Sequence, residues 1–268
     1  MKHLPFLKFV YRGLLTGMPM LTYNPINKNN LHSPFTVKPY STYINYKLNK
    51  QEYNFINNNL SDRLKMKKVE IDSFTEKNYY LSINVYNCSL PVVPTNNEIS
   101  RCEINTYVED ILEGEGTVIL DYTSNTLSMD PVNIFKKKED LKFKNVNDSI
   151  KSYCNTKTIK LDLEYFYNYD DDDFQISEDL IYYSDKIFYP NSIYDKLFYD
   201  SSLTRAELKV PKIKNLEFEF NGLKLENPES IFYFKNDIKF AGSIWDNLYR
   251  ITDTKIYDWE DIPSDSKF

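Results

Sequence analysis

Glycine is scarce in this chain, with only 6 among 268 residues. Neither GxxxxGK[ST] nor GxGxxG occurs, so the glycine-rich loops that hold nucleotide phosphates are missing and no nucleotide cofactor is expected. The GxSxG turn that presents the nucleophile of many serine hydrolases is missing as well. The sequence therefore argues against nucleotide-dependent chemistry and against serine hydrolysis.

Cysteine and histidine are also few. The three cysteines, Cys88, Cys102 and Cys154, are too few and too widely spaced for a disulfide framework or a CxxC metal site. The two histidines, His3 and His32, both lie near the start of the chain. We therefore expect no zinc site and no other metal.

Basic residues are fewer than acidic ones, so the net charge is -6 and the sequence pI is about 5.2. No basic face emerges that could neutralise a row of phosphates, so nucleic acid is not an expected partner. The longest apolar runs fall well short of the roughly 20 residues that span a bilayer. Residues 1–10 lack an adequate apolar core and a cleavage site for a signal peptide. We expect a soluble, cytoplasmic protein with no membrane partner.

Aromatic residues are abundant, with 23 Tyr and 17 Phe in a chain that is 41% hydrophobic. Flat side chains pack well on the pleated surface of strands, and this content is enough to fill a large core. The composition therefore predicts a mainly β protein.

The first 39 residues contain five prolines, which block helix interiors and central strands. We expect residues 1–39 to form an extended arm packed over a single domain at residues 40–268. Such an arm is suited to lying on a neighbouring copy, so a homo-oligomer is possible.

Alternation of apolar and polar residues predicts a series of half-buried strands. The predicted strands are Tyr40–Tyr46, Val69–Phe74, Tyr79–Tyr86, Ser100–Val108, Thr117–Tyr122, Thr158–Phe166, Leu216–Phe220 and Ser230–Phe234. One short helix is predicted at Asn49–Asn57, and turns are predicted at Glu113–Gly116 and Asn221-Gly222. So many strands around so little helix favour an antiparallel barrel, closed or nearly closed.

The strand that carries Glu103 is followed, one hairpin later, by a run of three lysines, Lys136 to Lys138. Together with Tyr43–Tyr46, Leu64–Met66 and the segment from Ser124 onward, this order resembles the acetoacetate decarboxylase-like superfamily. The resemblance covers roughly Tyr40 to Lys144, and it implies that family's barrel fold.

The resemblance implies a Schiff-base lyase acting on a small β-keto acid, without a cofactor. Lys137 matches the nucleophile, which forms an iminium with the substrate ketone and so provides an electron sink for loss of carbon dioxide. Lys138 matches the cationic neighbour that, with burial, lowers the pKa of the nucleophilic amine. Glu103 matches the carboxylate that orients this amine.

The chain departs from the family pattern at two places. Lys136 stands where the family has a proline, and strand alternation would place Lys136 and Lys138 on one face and Lys137 on the other, which leaves the nucleophile open. Pro39 stands at the approximate position of the family's arginine, for which Lys38 or Lys47 is a loose substitute.

Each of these residues also has a second interpretation. The run Lys136 to Lys138, followed by Glu139 and Asp140, is typical of an exposed turn, and Glu103 can be a strand carboxylate paired with Arg101 or a lysine. The alternative function is a noncatalytic protein on the same barrel that binds a small apolar or aromatic ligand, or takes part in an assembly.

Overall fold

A computed structural model describes residues 35–70, 76–89, 99–110, 114–125, 141–167, 186–189, 192–195, 198–199 and 208–241. These residues are mainly β, as the composition predicts. Lys136, Lys137 and Lys138 lie outside the described residues, as does most of the predicted arm.

The first half of the described chain contains β1 (Phe35–Val37), β2 (Thr42–Lys47), α1 (Lys50–Asn57), β3 (Leu64–Met66), β4 (Tyr80–Ser89), β5 (Ile99–Asp110), β6 (Gly114–Ser124), β7 (Lys142–Val146), β8 (Ser149–Asn155) and β9 (Ile159–Phe166). The second half contains β10 (Lys186–Tyr189), β11 (Ser192–Asp195), β12 (Phe198–Tyr199), β13 (Leu208–Lys209), β14 (Lys212–Phe220), β15 (Leu223–Leu225), β16 (Ser230–Phe234) and β17 (Ile238–Ala241).

The single helix of the described residues, α1, begins at a well-formed cap. Asn49 Oδ1 accepts hydrogen bonds from the backbone N–H groups of Gln51 and Glu52 at 2.8 and 3.0 Å, and Glu52 Oε2 accepts one from the Asn49 N–H at 2.7 Å. This reciprocal arrangement satisfies donors that the first turn of a helix otherwise leaves unpaired. Ile56 is the buried anchor of the helix, which confirms the helix predicted at Asn49–Asn57.

A twelve-stranded sheet, the large sheet, has the antiparallel meander of β4, β5 and β6 at its centre. The predicted turn at Glu113–Gly116 is wrong in position, because Glu115 and Gly116 already pair with Glu109 and Val108. Gly114 and Gly116 are therefore both part of β6. Nearly all strand pairs are antiparallel, but β10 lies parallel to β6.

Beyond β4, the large sheet continues with two chain segments, residues 35–47 and 230–241, each of which contributes two strands. Strands β1 and β2 both pair with β4, and strands β17 and β16 pair with β1 and β2 in turn. Tyr40, between β1 and β2, has a positive φ of 66° that interrupts the ladder there. Because β1 is a strand of this sheet, the last residues of the predicted arm belong to it.

A five-stranded sheet, the small sheet, has the order β15-β14-β9-β8-β7 and is antiparallel throughout. Asn221-Gly222 forms its predicted hairpin turn, with positive φ at both residues. The hairpin of β7 and β8 was not predicted. Its two-residue turn, Asn147-Asp148, has φ values of 47° and 62°, which is the mirror-image turn that fits strand twist.

The two sheets pack face to face around one apolar core. Ile44, Ile83 and Ile104 of the large sheet and Leu161 and Leu163 of the small sheet belong to the same buried cluster. We call this side of the large sheet its inner face, and the opposite side its outer face. The described strands thus form two sheets packed on a shared core, and no closed barrel is found among them, although the sequence predicts a closed or nearly closed one.

Polar contacts also join the sheets. Thr42 Oγ1 donates a hydrogen bond to Tyr165 Oη at 3.1 Å, and Tyr165 Oη donates to the backbone oxygen of Tyr40. In the part of the chain that the structure describes, no helix is long and apolar enough to cross a membrane.

Candidate functional site

Glu103 lies near the middle of β5, on the outer face of the large sheet. Its chain neighbours Cys102 and Ile104 belong to the core on the inner face, and alternation along the strand turns Glu103 the other way. Strand register places Glu103 between Asn84 of β4 and Tyr122 of β6. The predicted site carboxylate is therefore in the centre of the sheet.

The Glu103 carboxylate is held by a buried ion pair and a hydroxyl group. Arg101 Nε lies 2.5 Å from Glu103 Oε1, and the two side chains are only 13% and 11% exposed. Tyr86 Oη donates a hydrogen bond to the same oxygen at 2.7 Å. The Arg101 guanidinium carbon also lies 3.9 Å from the centre of the Tyr122 ring, a cation–π contact. The structure thus contains the ion pair with Arg101 that the second interpretation of Glu103 predicts.

Two amide groups beside this pair have unsatisfied acceptors. The Oδ1 atoms of Asn84 and Asn105 are buried and accept no hydrogen bond within the described residues. Asn84 is in register with Glu103, and Asn105 is the next residue on the same face of β5. Asn105 is only 4% exposed. A buried acceptor without a donor destabilises a fold by about 1–3 kcal/mol, so two of them together mark a place where a donor is expected.

The six residues Asn84, Tyr86, Arg101, Glu103, Asn105 and Tyr122 are called the Glu103 cluster below. On the β2 side they continue into further polar and aromatic side chains. Ser82 Oγ donates to Asn45 Oδ1 at 2.5 Å, and Asn45 Nδ2 donates to Ser230 Oγ at 3.0 Å. Tyr43 stacks on Phe232 with ring centres 5.4 Å apart. The outer face is therefore a buried polar and aromatic layer.

Burial raises the pKa of both Tyr43 and Tyr86 well above the usual value of 10.0. Tyr107 and Glu103 raise the pKa of Tyr43 further, and the Glu103 charge is the next cause for Tyr86. Both phenols are consequently protonated at neutral pH. Their hydroxyl groups act as hydrogen-bond donors and as neutral acceptors, and not as bases.

The other predicted site residues are not brought together with Glu103 by any described contact. Lys136, Lys137 and Lys138 lie outside the described residues. Lys38, a loose substitute for the family's arginine, pairs with Asp237 at 3.2 Å. Strand β6 ends at Ser124, which is in register with Arg101.

Sequence reasoning did not single out Tyr86, Asn84 and Asn105 as neighbours of Glu103. The signal was present in β5, where Arg101, Glu103 and Asn105 repeat at every second position. A polar repeat of this kind usually indicates the solvent face of a strand, whereas Glu103 and Asn105 are buried.

The described residues contain no group of three or more His, Cys, Asp or Glu side chains that could hold a metal ion. A comparison with models of known protein families gave no match, and a comparison with curated protein sequences gave none either.

Proposed function

We propose that this protein binds a small molecule at the Glu103 cluster and that it acts as a binding protein. The observation that carries the proposal is the pair of buried amide oxygens, on Asn84 and Asn105, that lack donors next to a compensated ion pair. Arg101 balances the charge of Glu103, which suits a fixed recognition surface better than a group that must change its protonation state.

The chemistry of these groups defines the ligand class. Two carbonyl oxygens without donors match a ligand that carries hydroxyl or amino hydrogens. The rings of Tyr86 and Tyr122 beside them provide flat apolar surface against which a ring or a carbon skeleton can pack. A small polyol or a primary amine with a ring fits both requirements.

Asn105→Leu tests this proposal, because leucine is close to asparagine in shape and removes the orphaned acceptor. We expect the ligand-free variant to be as stable as the parent or about 1 kcal/mol more stable. Binding of a hit from a thermal-shift screen of monosaccharides and of aromatic primary amines such as tyramine should weaken about tenfold, measured by calorimetry.

Asn155→Leu is the matched control, since Asn155 is an exposed strand residue of the small sheet. It should leave both stability and binding almost unchanged. A loss of stability in Asn105→Leu, with no probe of either class binding to the parent, would show that the amide has a purely structural role.

A second candidate is the Schiff-base lyase implied by the resemblance to the acetoacetate decarboxylase-like superfamily, together with that family's barrel. It is favoured by the short distance along the chain between Ser124, which is in register with Arg101, and the three lysines. Lys137 would attack the ketone of a small β-keto acid, water would leave, and the resulting iminium would accept the electron pair released with carbon dioxide. Lys138, or Lys136, would supply the neighbouring positive charge.

Borohydride trapping distinguishes the two candidates. The protein is incubated with acetoacetate and sodium borohydride, and the intact mass and the modified peptide are determined. A reduced adduct on Lys136, Lys137 or Lys138 that is lost in Lys137→Arg supports the lyase. Binding of a polyol or amine without any lysine adduct supports the binding protein and rejects the lyase.

A further inference from the structure

Two buried thiols meet at the interface between the sheets. Cys102 projects from the inner face of β5 and is 0% exposed, and Cys154 projects from β8 of the small sheet and is 1% exposed. Both belong to the core cluster that the two sheets share, and both are reduced. The third cysteine, Cys88, is outside that cluster.

A side-chain hydrogen bond joins β6 of the large sheet to the turn between β8 and β9 of the small sheet. Thr158 Oγ1 donates to Asp121 Oδ2 at 2.5 Å. Thr158 lies in the turn that follows β8, four residues after Cys154, and Asp121 lies on β6 in register with Ile104 of β5, the strand that contains Cys102. The Cys102 thiol itself interacts with Cys154 through a side-chain hydrogen bond. Both thiols therefore face the shared core and contact each other across the interface between the sheets.

We propose that Cys102 and Cys154 are an oxidation site and that they form a disulfide bond between the two sheets when the protein meets a disulfide oxidant such as oxidised glutathione. Disulfides that join two packed β sheets occur in immunoglobulin domains, which gives a precedent for a bond of this kind. This proposal is independent of ligand binding at the Glu103 cluster, which lies on the opposite face.

The reaction is two successive thiol–disulfide exchanges. One cysteine thiolate attacks oxidised glutathione, which gives a mixed disulfide and releases one glutathione thiolate. The second cysteine thiolate then attacks the protein sulfur and releases the other glutathione. Two protein thiols lose two electrons and two protons, and one oxidised glutathione becomes two reduced molecules.

The environment of the thiols determines how fast the native protein is oxidised. The hydrogen bond with Cys154, followed by burial, raises the pKa of Cys102 well above 9.0. The thiolate is therefore scarce in the native state, and the native protein oxidises slowly. During refolding the thiols are accessible, and native packing then favours this pairing. The disulfide should therefore form mainly when the protein folds under oxidising conditions.

The test is refolding from urea in a buffer of oxidised and reduced glutathione, with the Cys88→Ser variant so that only this pair can react. We expect a mass 2 Da below that of the reduced protein and a linked peptide that contains Cys102 and Cys154. Closing the long loop between them should raise the Tm by about 10 °C, and a reducing agent should reverse this shift.

Cys154→Ser in the same background is the control, and it should show no loss of 2 Da and no reducible shift in Tm. Quantitative alkylation of both thiols after refolding of Cys88→Ser, or a mixed glutathione adduct that persists on either one, would overturn the proposal. In the protein with all three cysteines, a linked peptide that contains Cys88 would overturn it as well.

Discussion

Two neighbouring rows of the large sheet differ in chemistry although both are buried. On the inner face, Ile44, Ile83 and Ile104 lie in register across β2, β4 and β5. One residue away, on the outer face, Tyr43 and Asn84 are in register with Glu103. The isoleucine row supplies packing without direction, whereas the polar row supplies groups with defined donors and acceptors. In this sheet, one buried face is therefore apolar, and the other carries the directional polar groups that the proposed binding site would use.

On the outer face of the small sheet, in contrast to both rows, charged side chains are exposed to solvent. There Lys160 pairs with Glu219 at 2.6 Å, and the side chains are 52% and 31% exposed. The same kind of contact, an ion pair between strand residues, thus occurs in two environments. The N–O distances of the two pairs are nearly equal, so the difference in their contribution to stability comes from their exposure to solvent.

The largest expected effect comes from breaking the buried ion pair. Glu103→Ala removes the carboxylate that balances the Arg101 charge, and it should lower the free energy of unfolding by about 4 kcal/mol in urea titrations. The double variant Arg101→Met, Glu103→Leu should recover to within about 1 kcal/mol of the parent, because no buried charge is left. A double variant as unstable as Glu103→Ala would mean that the polar row also carries the stability of the fold.

The adjacent residue gives the matched test on the other face. Ile104→Ala opens a cavity in the shared core and should lower the free energy of unfolding by about 3 kcal/mol, whereas Ile104→Val should lower it by about 1 kcal/mol. Affinity for a ligand of the Glu103 cluster should be unchanged in Ile104→Val. A change in affinity with this variant would show that the two faces are not separable.

The hydroxyl group of Tyr86 should have an intermediate effect. Tyr86→Phe removes the hydrogen bond to Glu103 and should lower the free energy of unfolding by about 2 kcal/mol at pH 7.

The pKa of Tyr86 is raised in the folded state, so that state retains its proton above pH 10, where the unfolded chain loses it. Stability is therefore complete below pH 10 and falls as the pH rises above it. Urea titrations between pH 8 and pH 11 should show a smaller fall in Tyr86→Phe than in the parent. Equal falls in the two proteins would contradict the assignment to Tyr86.

The smallest effect is expected on the exposed face. Lys160→Ala should change the free energy of unfolding by about 0.5 kcal/mol or less, because solvent screens this pair. Glu219→Ala should behave in the same way, and the difference from the parent should shrink further in 1 M salt. A loss comparable to that of Glu103→Ala would remove the contrast between buried and exposed pairs.

Local pattern was sufficient to predict the helix and the five longest strands, whereas most of the shorter strands were not predicted. Alternation located the strands of the central meander, and Asn221-Gly222 located a hairpin, because these features depend on residues close in the chain. The hairpin of β7 and β8 escaped prediction for a physical reason. Strand β7 is an edge strand with mostly exposed side chains, and its turn, Asn147-Asp148, adopts positive φ without a glycine.

The site was predicted only in part. Glu103 was singled out by its place in a strand, but the partners that define its environment, Tyr86 and Asn84, come from the neighbouring strand. Sequence alternation distinguishes two faces of a strand, yet it cannot say that both are buried. The choice between barrel and sandwich has the same origin, since it depends on which distant strands pair.

The sequence by itself determined that this chain is mainly β, where its central strands and its helix lie, and that Glu103 shares a strand face with Arg101 and Asn105. Only the tertiary structure decided that this face is buried, that the sheets form two layers, and that Cys102 meets Cys154. The reason is that strand pairing and layer packing depend on contacts between residues far apart in the chain. Local spacing carries no record of them.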